Sequence, residues 1–168
     1  MDKKLVYRPG SADDLEQIKN LAIAAYSQYS TVLTPENWEI LNTYLHNEQS
    51  LAELITKAAS FVCTDTDMAV GMAFLIPRGN PTDIYEAGWC YIRMVGVHPD
   101  YTGQGIARKL TKMCIEKARD LHETTIALHT SEFMDAARHI YESLGFKVLK
   151  ELPPRLGKRY WLYTLNIS

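Results

Sequence analysis

The segment that most constrains this chain is VGVHPDYTGQGIARKL, residues 95–110. It closes a β-prone run, Gly88–Val97, crosses a His-Pro turn, passes Gly103 and Gly105, and enters a helical pattern without a spacer. Over 105–121, Ile106, Leu110, Met113, Cys114, Ala118 and Leu121 form one apolar stripe, with Lys109, Lys112, Glu116 and Arg119 mostly off it. That is the period of an amphipathic helix. A strand that runs through a glycine turn straight into a helix demands a fold mixing both elements. It also offers an anion site. Glycine lets the backbone approach a ligand closely, and the first N–H groups of a helix lack internal partners and lie at the positive end of its dipole. Arg108 and Lys109 add charge in the first turn. The competing reading is a turn that merely needs two flexible residues.

The remaining signals give the element order. Leu5–Arg8 is a strand ending at Pro9-Gly10, and Ser11 with Asp14 caps a helix carrying Leu15, Ile18, Leu21, Ala22 and Ala25. Thr34 caps a second helix with Pro35 in its first turn, and Ser50 with Glu53 forms a capping box for a third, through Lys57. Ser60–Thr64 and Met68–Ile76 read as a hairpin, and Arg78–Asp83 as a loop. Thr125–Thr130 is a strand, and the helix Met134–Leu144 stops at Gly145. Lys147–Leu152 and Arg159–Asn166 are closing strands separated by a Pro153–Gly157 loop. The pattern predicts one mixed α/β (α+β) domain over residues 1–168, without repeats or a linker.

Charge and composition exclude several functions. Eighteen Lys+Arg against twenty Asp+Glu give a net charge of −2, which disfavours nucleic-acid binding driven by phosphates. Cys63, Cys90 and Cys114 form no CxxC pair and sit in apolar contexts, as small core residues do. The five histidines show no metal-ligand spacing, so no metal is assigned. No apolar run is long enough to span a membrane, and MDKKLVYRPG lacks the core of a signal peptide, so a reduced, soluble, cytoplasmic protein is expected. A dinucleotide fingerprint starting at Gly103 would need glycine at position 108, which is Arg108. A phosphate loop of the Gly-Lys-Ser/Thr type fails because Ile106 follows Gly105. His129, Ser131 and Asp135 are triad residue types, but no Gly-x-Ser-x-Gly elbow frames Ser131.

Residues 97–110, followed by AARHIYESLGF at 136–146, resemble the two signature motifs of the GNAT superfamily of acyl-CoA-dependent N-acetyltransferases. Thr102-Gly103-Gln104-Gly105-Ile106-Ala107 occupies the first motif, Arg/Gln-x-x-Gly-x-Gly/Ala. Met134, Ala137, Tyr141, Glu142, Gly145 and Phe146 fall on the second, which usually begins with Asn. Thr102 and Met134 depart from the pattern. The first loses a long side chain, and the second an amide for which Thr130 or Ser131 is a polar substitute.

The resemblance implies a central twisted mixed sheet, splayed at the cofactor site, with helices on both faces. Acetyl-CoA would be the co-substrate. Val95, Gly96 and Val97 would diverge from Thr125–Thr130, so that the pantetheine pairs with free strand backbone and the thioester carbonyl meets an N–H near Val95. Thr102, Gly103, Gln104, Gly105, Ile106, Ala107 and Arg108 would hold the pyrophosphate, mainly through main-chain N–H groups. Tyr141 sits where the family places the proton donor to the departing thiolate. Glu86 sits where many relatives keep a carboxylate able to act as base. Tyr26, Tyr29, Trp38, Tyr85 and Trp89 would line an aromatic pocket, where cation–π attraction suits an amine acceptor. A small-molecule amine is favoured over a peptide. Rival expectations are a CoA-binding regulatory or partner-binding module with little turnover, and protein- or peptide-directed acetylation. Family members often pair through edge strands, which makes a homodimer an expectation as well.

Overall fold

The local signals above become seven strands in one sheet, in a computed structural model that describes residues 4–168. The first three residues, part of the amino-terminal stretch read for a leader, lie outside the described residues. The strands are β1 (Leu5–Pro9), β2 (Ala59–Asp65), β3 (Met68–Ile76), β4 (Cys90–Val97), β5 (Thr125–Ser131), β6 (Lys147–Arg155) and β7 (Lys158–Asn166). The helices are α1 (Leu15–Tyr26), α2 (Pro35–Leu45), α3 (Glu48–Lys57), α4 (Ile106–Asp120) and α5 (Asp135–Ser143). The sheet order is β1-β2-β3-β4-β5-β7-β6, and β4–β5 is its parallel pair.

Burial explains the layering. From Ala69 to Ile76, β3 is buried throughout, as a strand covered on both faces must be. On one face, Ile18 and Leu21 of α1 and Leu54 and Ile55 of α3 pack with Val62, Met72 and Phe74. On the other, Ile106, Leu110 and Cys114 of α4 and Tyr141 of α5 pack with Ala73, Leu75, Ile126 and Leu128. Helices therefore cover both faces, as expected. Gly71 permits the closest approach of α4: a Cβ there would stand 2.5 Å from Ile106 Cγ2. All three cysteines are free and buried.

Two boundaries differ from expectation. The third helix is capped by Asn47, whose side chain accepts the Ser50 N–H at 3.1 Å, so Ser50 lies inside the first turn. Asn47 offers its carbonyl oxygen one turn earlier, and Leu51 N–H already bonds Asn47 C=O at 3.2 Å. At the other end of the chain, β6 continues through Pro153-Pro154, where a loop was expected. As the last strand of the sheet it pairs on one side, so the missing N–H groups are tolerated. Leu156 (φ 52°) and Gly157 (φ 71°) then make a tight two-residue turn.

The feature that positions the site lies between β4 and β5. They pair at Cys90↔Ile126 and Tyr91↔Ala127 and then separate. Alongside, β4 bulges: Arg93 faces Phe74 and Gly96 faces Met72, so Met94 and Val95 together oppose Ala73. Met94 adopts a left-handed φ of 51°. Such a bulge bends its strand, here beside the parting β5.

Candidate active site

Past Tyr91 the parting strands open onto a cavity of about 620 Å³. Val95 lines it from β4, Thr130 from β5, and Met134, Ala137 and Tyr141 from α5 and its start. Gly96 is not a lining residue: a Cβ there would stand 2.9 Å from Met72 Cε and 3.4 Å from Ala25 Cβ, so this glycine lets α1 lie on β4.

The glycine loop follows. Thr102 donates its hydroxyl to Pro99 C=O at 3.1 Å, and Gly103 and Gly105 hold φ of 78° and 77°. At both glycines the space a Cβ would fill is open, so backbone conformation, not crowding by protein, selects glycine. Gly105 is the N-cap of α4 and supplies no side-chain cap. The Lys109 N–H bonds Gly105 C=O at 3.0 Å, leaving Ile106, Ala107 and Arg108 as helix-start donors without a helical acceptor. The Arg108 guanidinium reaches Ser143 Oγ at 2.5 Å and ties α4 to α5. Gly105, Arg108, Lys109 and Lys112 border a second, separate hollow.

The far end of the main cavity is aromatic. Ring contacts run from Tyr26 to Tyr29 (5.8 Å), Tyr29 to Phe133 (4.9 Å), Phe133 to Tyr160 (6.2 Å), Tyr160 to His129 (5.9 Å) and His129 to Tyr85 (5.8 Å). Tyr85 stacks on Tyr91 at 4.0 Å. Of the residues singled out from sequence, Tyr26, Tyr29, Tyr85, Val95 and Tyr141 meet in this cavity. Trp38 and Trp89 instead pack partly buried against the core. Glu86 is exposed, outside the cavity lining, in a turn where its carbonyl accepts the Trp89 N–H at 3.1 Å. Sequence reasoning missed Tyr44, Arg93 and Tyr160 as lining residues and left His129 without a role, while Arg155 enters from the Pro153–Gly157 segment that it expected at the acceptor site. An arginine inside the apolar run GWCYIRMVGV was the one available signal.

Burial tunes the titratable groups. Tyr141 is 7% exposed, and burial raises its pKa, so its hydroxyl stays protonated. Among the described residues that hydroxyl has no hydrogen-bond partner, and its ring meets Phe146 edge-on at 6.0 Å. His129 Nδ1 lies 2.5 Å from the Tyr85 hydroxyl, and His129 Nε2 lies 3.5 Å from Arg155. Burial first, then Arg155 and Arg93, lower the His129 pKa to about 4, with Asp83 opposing. The ring is neutral at pH 7. Thr130 donates to Met134 Sδ at 3.6 Å and Ser131 to Arg159 C=O at 2.6 Å, so both hydroxyl protons are engaged. Among the described residues no cluster of three or more His, Cys, Asp or Glu is arranged to hold a metal, and no helix is long and apolar enough to cross a membrane.

A mixed sheet that parts between two parallel strands, with a glycine loop and uncapped helix on one side and an aromatic cavity on the other, defines an α/β protein with a strand-splay ligand cleft. The chain belongs to the acetyltransferase (GNAT) family, whose model matches residues 15–146. It is 36% identical over 70 residues to the L-amino acid N-acyltransferase MnaT of Escherichia coli, covering 40% of each chain. It is 33% identical over 95 residues to N-alpha-acetyltransferase 30 of Schizosaccharomyces pombe, covering 55% of this chain and 60% of that one. Both matches span less than two thirds of the relative. In fold it is similar to the PaiA N-acetyltransferase of Thermoplasma acidophilum in complex with coenzyme A (TM-score 0.79, 15% identity, 98% of this chain and 99% of that one). It is likewise similar to yncA of Salmonella typhimurium with its cofactor acetyl-CoA (TM-score 0.72, 18% identity, 98% and 95%).

Proposed function

We propose that this protein is an acetyl-CoA-dependent N-acetyltransferase that transfers acetyl directly to a small-molecule amine within a ternary complex. One observation carries the reading: the parting of β4 and β5 opens onto a single cavity that runs from Val95 and Tyr141 to the aromatic wall. Family membership and the two similar structures with coenzyme A or acetyl-CoA support the donor. The free backbone of β4 around Val95 takes the pantetheine as an added strand, and an N–H there faces the thioester oxygen. Residues 102–108 take the pyrophosphate on main-chain N–H groups.

In this reading the neutral amine attacks the thioester carbon, the C–N bond forms and the C–S bond breaks. Tyr141, protonated and with a hydroxyl unused by the protein, gives its proton to the thiolate sulfur. The ammonium proton leaves through water, because Glu86 stands outside the cavity lining. A compact acceptor fits because the β6–β7 turn meets α2: a Cβ on Gly157 would stand 2.8 Å from Asn37 Nδ2. Likeness to N-alpha-acetyltransferase 30 favours a peptide acceptor as the second reading.

The test is thiol release from acetyl-CoA across a panel of small amines and peptide N-termini, together with the melting temperature. Acetyl-CoA should stabilise the fold by mass action, and a small amine should be turned over fastest. Stabilisation without turnover of any acceptor makes the chain a CoA-binding module and overturns the enzyme reading, and the absence of both effects overturns CoA binding as well.

A further inference from the structure

The acceptor half of the cavity carries an excess of positive charge that the protein does not answer. Arg93 enters it from β4, half-buried, and Arg155 from the tip of the β6–β7 hairpin. Arg8, Arg78, Arg138 and Arg159 each reach a carboxylate within ion-pair distance, whereas among the described residues Arg93 and Arg155 do not. Arg93 donates to the Tyr44 hydroxyl at 3.0 Å, a neutral partner that takes one of five N–H donors. Arg155 faces the neutral His129 at 3.5 Å. Asp83, exposed on its loop, is the single carboxylate on the described lining. Both guanidiniums act on the same spot: each adds to the burial that depresses the protonation of His129, and each partly opposes the burial that raises the Tyr85 pKa.

Arg93, half-buried with only a neutral partner, and Arg155, exposed at the rim, leave guanidinium donors beside this aromatic wall with which a ligand's carboxylate can pair. The cofactor phosphates do not supply it, because the glycine loop borders a different hollow. A diamine would meet like charge. The same field favours the neutral form of a bound amine, the form that attacks.

We infer that the acceptor is an amine that also bears a free carboxylate, an amino acid unblocked at its carboxyl end, with that carboxylate held by Arg93 and Arg155. Its side chain then lies on the wall built by Tyr29 and Tyr160. This deepens the acetyltransferase reading and rests on it.

The experiment measures thiol release with acetyl-CoA for aliphatic and aromatic amino acids, each beside its carboxamide and its decarboxylated amine. Wild type, Arg155→Gln and Arg93→Gln are compared, with the acetyl-CoA-induced rise in melting temperature measured in parallel. For wild type, kcat/KM should favour the free acid over the carboxamide by about tenfold or more, as expected for one charge-assisted contact. Arg155→Gln, at an exposed turn, should raise KM for the acid far more than for the carboxamide, so the preference collapses. The melting response to acetyl-CoA should persist. Equal or better use of carboxamides, amines or peptides by wild type overturns the inference and leaves the acetyltransferase reading intact. A preference that survives in both variants also overturns it. Absence of any turnover overturns both.

Discussion

Tyr141 is buried, lines the cavity, and among the described residues its hydroxyl makes no hydrogen bond to protein. Tyr141→Phe therefore removes no protein hydrogen bond and should change stability by less than about 1 kcal/mol. If the hydroxyl protonates the leaving sulfur, turnover should fall by about 10²–10⁴-fold while the acetyl-CoA melting shift persists. Thiol release and calorimetry check this, and undiminished turnover would reduce the residue to packing. His129 makes a pH prediction. Its pKa is about 4 in the fold and returns towards 6.5 in the unfolded chain. The unfolded state thus binds the proton more readily between those values, and stability rises with pH across that window. The contribution is complete above pH 6.5 and is lost as pH falls towards 4, by up to about 1.4 kcal/mol per pH unit. The groups that face the ring are Tyr85, Tyr160, Arg93, Arg155 and Asp83. Denaturant midpoints at pH 7 and pH 5 should differ more for wild type than for His129→Gln.

At the scale of the element, α3 separates two capping chemistries that compete within one turn. Asn47→Ala should cost about 1 kcal/mol in a melting experiment, while Ser50→Ala should be close to neutral, because the cap oxygen belongs to Asn47. Equal losses would mean that both side chains cap. The sequence alone favoured Ser50, since Ser50 with Glu53 matches a pattern and Asn47 merely precedes it. Elsewhere hydrophobic period and caps marked the elements well, as at Thr34, which does cap α2, and at Gly145 after α5. The glycine loop was legible because a positive φ asks for glycine. Met94 was not, because nothing in methionine announces a left-handed backbone. The strand through Pro153-Pro154 depends on β6 being the outermost strand, which is a property of the sheet and not of the segment. The same holds for the cavity. Tyr85 and Trp89 look alike as aromatic residues in one loop, but Tyr85 is buried in the core and lines the cavity, whereas Trp89 packs partly buried against that core outside the lining. Arg93, His129 and Arg155 come from three strands distant in sequence, so no motif joins them.

Across the whole molecule, the sheet is two parts, β1–β4 and β5-β7-β6, laced by two residue pairs. Beyond that lacing, the facing edges lack each other's hydrogen bonds. Amides of β4 on the cleft side, around 94–96, should exchange quickly in the free protein and slow when acetyl-CoA binds. Those in the continuous β5–β7 ladder, such as Leu128 opposite Tyr163, should scarcely change. Protection confined to the first turn of α4 would count against strand-like binding of the donor. A seam this short also fixes how the molecule yields. The other strand pairs are joined by ladders of five to seven residue pairs, whereas here the two halves meet as the valves of a shell meet at a hinge. Opening of the cleft itself, where β4 and β5 pair at two positions, is the motion this short seam would resist least. In the proposed binding mode the donor's own amides would stitch that line, and the cleft would then be expected to stiffen along the direction in which it parts.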